Sequence, residues 1–317
     1  MVQKLILDID PGMQDALVLS LALFEPEVEI VALTSVGGRV SPQQSARNIR
    51  GIVELLDPPK LPRMGMGEDA DEGFNFETNS FGGTDGLGGF QLPVAERRTP
   101  IAAEKVICDT VRNHPGEVSI LSLGPLTNVA RAFRRDPEIP RLMKRLYIGG
   151  GTYNCPGDIT PSAEFNIYSD PKAAQFVFRS PGTKTLIPLD LADQLRFSVE
   201  ILKELPSSEQ PFGAFVQHIF VSLFRSFRQY YGMESVCLHE LAAFYAVFMP
   251  SLFETKYAAC EVEILGVLTE GEIVYDRRHR TNWRHNIEVF HAINDPALLR
   301  EKMIRDLNRI DKRIRDR

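Results

Sequence analysis

Apolar and polar positions along this chain follow two rhythms in turn. Gln3–Asp10 and Val28–Val36 are short, β-branched apolar runs bounded by turn residues, which predicts buried strands. Between them, Ala16–Phe24 is apolar on most sides and predicts a buried crossover helix. Ser41–Leu56 opens on Ser-Pro, a good helix start, and places Ile49, Ile52, Val53 and Leu56 on one face. Strand, helix, strand, helix is the pattern of a parallel sheet. After a break the rhythm resumes. It predicts a helix at Ile101–Asn113, a strand at Glu117–Leu123 and a helix from about Leu126. A strand at Arg145–Ile148 runs into Gly149-Gly150-Gly151, a helix covers Asp170–Arg179, and a strand covers Thr183–Leu189 before Asp190. Helices follow near 198–205, 212–230 and 238–247. Glu261–Leu268, Gly271–Tyr275 and Asn286–Phe290 read as a terminal meander, and Asp295–Arg317 as a charged amphipathic helix. The break itself, Gly65–Leu92, is rich in glycine and acids, and a loop that long is usually functional or disordered.

The expected fold is therefore α/β: an open, mainly parallel, Rossmann-like sheet with flanking helices. With no repeat and no evident linker, 1–317 reads as one domain. Special residues recur where predicted strands end: Asp8 and Asp10, Gly37-Gly38-Arg39, Leu123-Gly124-Pro125, the glycine triplet and Asp190. In open α/β sheets ligands bind at that edge, so a crevice is expected there.

Composition narrows the chemistry. The formal charge of −6 gives no bulk attraction to nucleic acid, and the basic run 277–285 around Trp283 reads as a solvated hairpin or a pocket wall. Cys108, Cys155, Cys237 and Cys260 have no CxxC spacing and no histidine cluster beside them, which argues against structural zinc and against a disulfide framework. The apolar stretch Leu5–Leu7 is too short for a signal peptide or membrane anchor, so a cytoplasmic protein is expected.

Asp8, Asp10 and Asp15 crowd one strand end and the turn after it. Carboxylates this close repel unless a cation or shared protons neutralise them, and oxygen donors suit Ca²⁺ or Mg²⁺. Taken alone, Asp10-Pro11-Gly12 could equally be a turn and Asp15 a helix cap. His239 alone reads more readily as a buried structural histidine than as a catalyst, its place before Glu240 at the start of an apolar helix makes the two readings even, and the glycine triplet reads more readily as close packing than as a phosphate nest.

In order along the chain stand Asp8-Ile9-Asp10-Pro11-Gly12-Met13-Gln14-Asp15-Ala16, Gly124-Pro125-Leu126-Thr127-Asn128, Gly149-Gly150-Gly151, Ala163-Glu164-Phe165-Asn166 with Asp170-Pro171, and His239-Glu240. Together these resemble the nucleoside hydrolase family, the inosine–uridine-preferring nucleoside N-ribohydrolases. The resemblance implies hydrolysis of the N-glycosidic bond of a ribonucleoside, with a bound Ca²⁺ (Mg²⁺ less so) that positions water and ribose. It implies Asp10 as general base and metal ligand, Asp15 and Glu240 as further ligands, and the Leu123 carbonyl as a main-chain ligand. It implies Asp8 as an acid that orients Asp10, and Gln14, Arg39, Asp158, Glu164, Phe165 and Asn166 as the substrate-facing set. His239 matches a histidine implicated in handling the leaving base, and a homodimer or homotetramer is implied as well.

Five positions depart from the family's usual pattern. Gln14 stands for an aspartate, Arg39 for an asparagine, Gly82 for a histidine, Asp158 for an asparagine and Glu240 for an aspartate. Two alternatives follow from them: a catalytically impaired or non-catalytic riboside binder, and a hydrolase of an anionic, phosphorylated riboside. Arg39 is the pivot, since its guanidinium either receives a ligand anion or pairs internally with Asp158 or Glu240.

Overall fold

The computed structural model describes residues 2–68, 81–93, 100–279 and 282–316. Part of the expected loop Gly65–Leu92, residues 69–80, lies outside the described residues, as does Arg317. The strands are β1 (Gln3–Ile9), β2 (Val28–Ser35), β3 (Arg63–Met66), β4 (Val118–Ser122), β5 (Arg145–Gly149), β6 (Lys184–Ile187), β7 (Arg196–Phe197), β8 (Val236–Cys237), β9 (Phe253–Ala258), β10 (Cys260–Val262), β11 (Ile273–Tyr275) and β12 (Ile287–Ile293). Eight of them form one sheet in the order β3-β2-β1-β4-β5-β6-β12-β9. Every neighbouring pair is parallel except β12 with β9.

The sheet separates two apolar layers, and β1 shows how. Leu5, Leu7 and Ile9 join the core on one face, while Ile6 joins the core on the other. Alternation with period two forces this split. Each such fully buried side chain contributes about 1.5–3 kcal/mol by leaving water. The helix Met13–Ala22 has every residue but Gln14 buried, which accounts for its apolar circumference in sequence. Helix Pro42–Leu56 starts as its Ser-Pro foretold: Ser41 Oγ accepts from the Gln44 backbone N–H at 3.2 Å, and proline sits in the first turn. Asp295 caps the last helix, Pro296–Arg315, in the same way. That helix presses Leu299, Met303, Leu307 and Ile310 into the core.

The C-terminal meander expected from the sequence is not formed. Cys260–Val262 pairs with Ile273–Tyr275 as a separate ribbon, and Leu265–Leu268 is not a strand. Ile287–Ile293 instead enters the main sheet, parallel to β6 and antiparallel to β9. β9 itself, Phe253–Ala258, carries mostly exposed side chains, and β3 is only four residues long. Both are sheet edges, where one side needs no apolar stripe, so neither announces itself by pattern.

Strand order reverses between β1 and β4, both of which end at the same edge. This is the switch point at which an open α/β sheet makes its crevice.

Candidate active site

Two glycines and a backbone N–H fix Asp10 beyond the end of β1. Its Oδ2 accepts from the Arg39 N–H at 2.7 Å. A Cβ on Gly38 would lie 2.0 Å from that oxygen, and one on Gly124 would lie 2.9 Å from Oδ1. The chain after β2 and the chain after β4 therefore close on the carboxylate so tightly that neither can carry a side chain. Asp15 sits in the first turn of helix Met13–Ala22, where the positive end of the helix favours a carboxylate. Its Oδ2 accepts from the Gly12 N–H at 3.3 Å.

These acids open into a cavity of about 290 Å³. Asp10, Gln14, Asp15, Arg39, Leu123, Asp158, Glu164, Asn166, His239 and Glu240 all line it, so the fold brings most of the sequence-derived set to one place. Burial, opposed by the N–H and charge of Arg39 and reinforced by Glu240, pushes Asp10 up to about 7. Burial also pushes Asp15 well above the usual carboxylate range, with Asp10 and Glu240 adding to it. Asp15 Oδ1, Glu240 Oε2 and Gln14 Oε1 are buried without any hydrogen-bond partner. Uncompensated anionic and carbonyl oxygens of this kind are the donor set of a hard cation. Among the described residues, however, no three His, Cys, Asp or Glu side chains are arranged to hold a metal ion. The donors fit the ion in kind.

Other members of the set are committed to the scaffold in ways the sequence did not reveal. Asn166 Nδ2 donates to the carbonyls of Leu123 (2.8 Å) and Gly149 (2.9 Å). Both partners are acceptors, so the amide orientation is forced, and only Oδ1 remains for a ligand. The Leu123 carbonyl thus already accepts one hydrogen bond, with a second lone pair to spare. Glu164 caps the short helix Phe165–Ser169, and its oxygens accept from the N–H groups of Gly151 (2.7 Å), Asn166 (2.9 Å) and Ile167 (3.2 Å). Burial and the nearby Asp158 push it up to about 8, against those donors. A Cβ on Gly150 would lie 2.8 Å from Glu164 Oε2. The glycine triplet is therefore a backbone seat for this carboxylate.

Asp8 does not line the cavity and has no hydrogen bond to Asp10. Its Oδ1 accepts from Thr34 Oγ1 (2.6 Å) and Asn128 Nδ2 (2.8 Å), and its Oδ2 from Ser122 Oγ (3.4 Å). These bonds tie β1 to β2, to β4 and to the helix that carries Asn128. Phe165 is buried, and its ring carries the Arg39 guanidinium at 4.2 Å from the centroid. Arg39 Nη2 lies 3.7 Å from Asp158 Oδ2, while Asp158 Oδ1 accepts from the Phe165 N–H at 2.8 Å. Arg39 is thus paired internally. His239 Nε2 is 2.8 Å from the Ile187 carbonyl. A carbonyl only accepts, so Nε2 carries hydrogen, and in the neutral ring Nδ1 is bare.

No local pattern announces the aromatic wall. Phe81, Phe227 and Tyr231 line the cavity and pack edge-on or tilted, with centroids 5.4–5.8 Å apart. Side chains tether the glycine-rich loop that carries Phe81: Ser226 Oγ donates to the Phe81 carbonyl, Asn48 Nδ2 bridges the carbonyls of Pro11 (2.9 Å) and Asp85 (2.7 Å), and His218 Nε2 lies 2.9 Å from the Gly88 carbonyl oxygen. At Gly82 a Cβ would lie 2.5 Å from the Gly86 carbonyl oxygen, so this loop leaves no room for a histidine there. The sequence predicts helix Pro211–Tyr231 only as a helix near 212–230. The only available signal was its crowding of aromatics near the C-terminal end.

Comparison with known proteins decides the family. The family model described as inosine-uridine preferring nucleoside hydrolase matches residues 5–300. The chain belongs to that family. Uridine nucleosidase 1 of Arabidopsis thaliana is 34% identical over 271 residues, covering 84% of this chain and 80% of its own. The non-specific ribonucleoside hydrolase RihC of Salmonella agona is 31% identical, covering 92% and 93%. Among solved structures, a purine-preferring ribonucleoside hydrolase from Gardnerella vaginalis superposes with a TM-score of 0.90 at 26% identity, covering 98% of this chain and 99% of its own. The cavity of this nucleoside hydrolase family member lies at the switch-point edge of its own sheet.

Proposed function

We propose that this nucleoside hydrolase family member cleaves the N-glycosidic bond of a ribonucleoside to give ribose and free base. The observation that carries the reading is the convergence of Asp10, Asp15 and Glu240, with buried unpartnered oxygens, in one cavity beside an aromatic wall. Such a bond breaks through an oxocarbenium-like state, which needs a deprotonated water on one side and a stabilised leaving base on the other. Asp10 removes the proton from the attacking water; a carboxyl raised to about 7 is matched to that task near neutral pH. Asn166 Oδ1 and Gln14 Oε1 accept from ribose hydroxyls, and Glu164, protonated below about 8, adds a third contact as an O–H donor.

Phe81, Phe227 and Tyr231 exclude water from the base and present ring faces to it. His239 protonates the departing base only as the doubly protonated ring, because Nε2 is held by Ile187. Asp10, Asp15, Glu240 and the Leu123 carbonyl would hold Ca²⁺. When bound, that ion would lower the pKa of a nearby water and neutralise the crowded carboxylates. With Arg39 stacked on Phe165 and paired to Asp158, the guanidinium is not an open anion receptor, which disfavours a phosphorylated riboside.

A homodimer or homotetramer in the cytoplasm is proposed on family resemblance alone. Among the described residues no helix is long and apolar enough to cross a membrane. The test is to incubate the protein with inosine, uridine, adenosine and cytidine, with and without a chelator, and to measure released base. Release that stops on chelation and in Asp10→Asn is expected; full turnover by Asp10→Asn would remove Asp10 from its role.

A further inference from the structure

A second groove, of about 730 Å³, lies at the opposite edge of the sheet. Lys184 and Ile287, the first residues of the parallel strands β6 and β12, both line it, so it opens at strand beginnings rather than strand ends. The strand that carries Lys184 finishes at Ile187, whose carbonyl holds His239 on the far side.

The charges in this groove do not balance. Glu261 is paired with Arg179 at 2.9 Å, and Glu288 is taken by Arg145 and Thr185 Oγ1. Lys184 is only 4% exposed, yet among the described residues no carboxylate pairs with it. Its Nζ donates to the Ser180 carbonyl, just past the end of helix Pro171–Arg179. That contact caps a helix end, which favours a cation, but it uses one of three N–H donors and leaves a full charge without a counter-ion. Burial accordingly pushes Lys184 down to about 8. Arg284, on the exposed rim, likewise makes no ion pair among the described residues. The groove walls also present two large rings, Trp283 at 39% and Tyr257 at 66% exposure. Unpaired cations beside exposed rings, on a chain of net charge −6, match a ligand that joins an anion to a flat ring.

We propose that this groove binds a small phosphorylated aromatic molecule of the nucleoside monophosphate class, with its phosphate at Lys184 and Arg284 and its ring against Trp283 or Tyr257. The site is separate from the crevice and does not depend on the hydrolase reading.

Trp283 is the one tryptophan in the chain, so its fluorescence reports this groove and not the crevice. The full-length Asp10→Asn protein, used to prevent turnover, is titrated with adenosine 5′-monophosphate, ribose 5-phosphate and inorganic phosphate. The expected result is a saturable change in tryptophan emission with the nucleotide, and at least tenfold weaker binding of the two ringless phosphates. Lys184→Met should weaken the nucleotide at least tenfold and Arg284→Gln at least threefold. If Lys184→Met does not fold, the exposed Arg284→Gln carries the decision, with calorimetry of Trp283→Ala as a second arm. The proposal is overturned by no saturable signal, by nucleotide binding that Lys184→Met and Arg284→Gln leave unchanged, or by inorganic phosphate binding as tightly as the nucleotide. An RNA oligomer binding at least a hundredfold tighter than the nucleotide would also overturn it, in favour of a nucleic-acid surface.

Discussion

Asp8 and Asp10 are two residues apart on the same strand and both are buried, yet they live in opposite circumstances. Asp8 has each oxygen answered by a side-chain donor from a neighbouring element, Thr34, Asn128 or Ser122. Asp10 receives a single donor from Arg39 and shares its cavity with Asp15 and Glu240, each of which keeps an unanswered oxygen. A satisfied buried carboxylate stabilises a fold, whereas a crowded, under-satisfied one is strained in its absence of partners and is available for chemistry. The difference separates scaffold from machinery without reference to any relative.

The largest effect should come from Asp10→Asn. Loss of a general base costs on the order of 10²–10⁴ in rate, and here the charge is lost as well, so released base should drop at least a thousandfold while the thermal midpoint holds or rises. Next is Gly38→Ala, whose methyl would sit 2.0 Å from Asp10 Oδ2. A displaced base of that order should reduce turnover about a hundredfold with normal substrate binding, read as a fall in kcat. Asp8→Ala should show the opposite profile. It leaves buried donors unmatched at a cost of about 2–3 kcal/mol, seen as a lower urea midpoint, with turnover changed only severalfold. If Asp8→Ala destroyed activity in a fully stable protein, the contrast drawn above would fail.

The pH dependence should be smaller, and its sign follows from the raised carboxyls. Asp10 is raised to about 7 and Asp8 to about 6 in the folded protein, above their unfolded values near 4. The unfolded chain therefore releases these protons first. Stability of chelator-treated protein should fall as pH rises from about 4 to about 7, by on the order of 1–3 kcal/mol, and flatten above that. Ca²⁺ should restore more of the melting temperature at pH 8 than at pH 5. Asp10→Asn should make the slope shallower, and a slope of unchanged steepness would count against the raised Asp10.

Much of this site was readable because it is local. Asp10, Asp15 and the Ser41 cap each declare themselves within a few residues, since a strand, a turn and a helix start impose short-range spacing. Arg39 and Asp158 could be paired on paper only as one choice among several, because they are 119 positions apart in the sequence. Asn166 read as a ligand binder, and tertiary contact commits its Nδ2 to a strut between Leu123 and Gly149, leaving Oδ1 open. Phe227 and Tyr231 drew no reading from the sequence, because the loop at Phe81 that packs on them is remote along the chain.

The amino-acid order by itself determined the βα alternation, the sheet edge that would carry the crevice and the acids placed there, because apolar periodicity and turn chemistry act over a few residues. Only the tertiary structure decided which polar atoms were spent on holding the scaffold and which were left open. That division depends on donors arriving from distant segments, and no local pattern encodes where they meet.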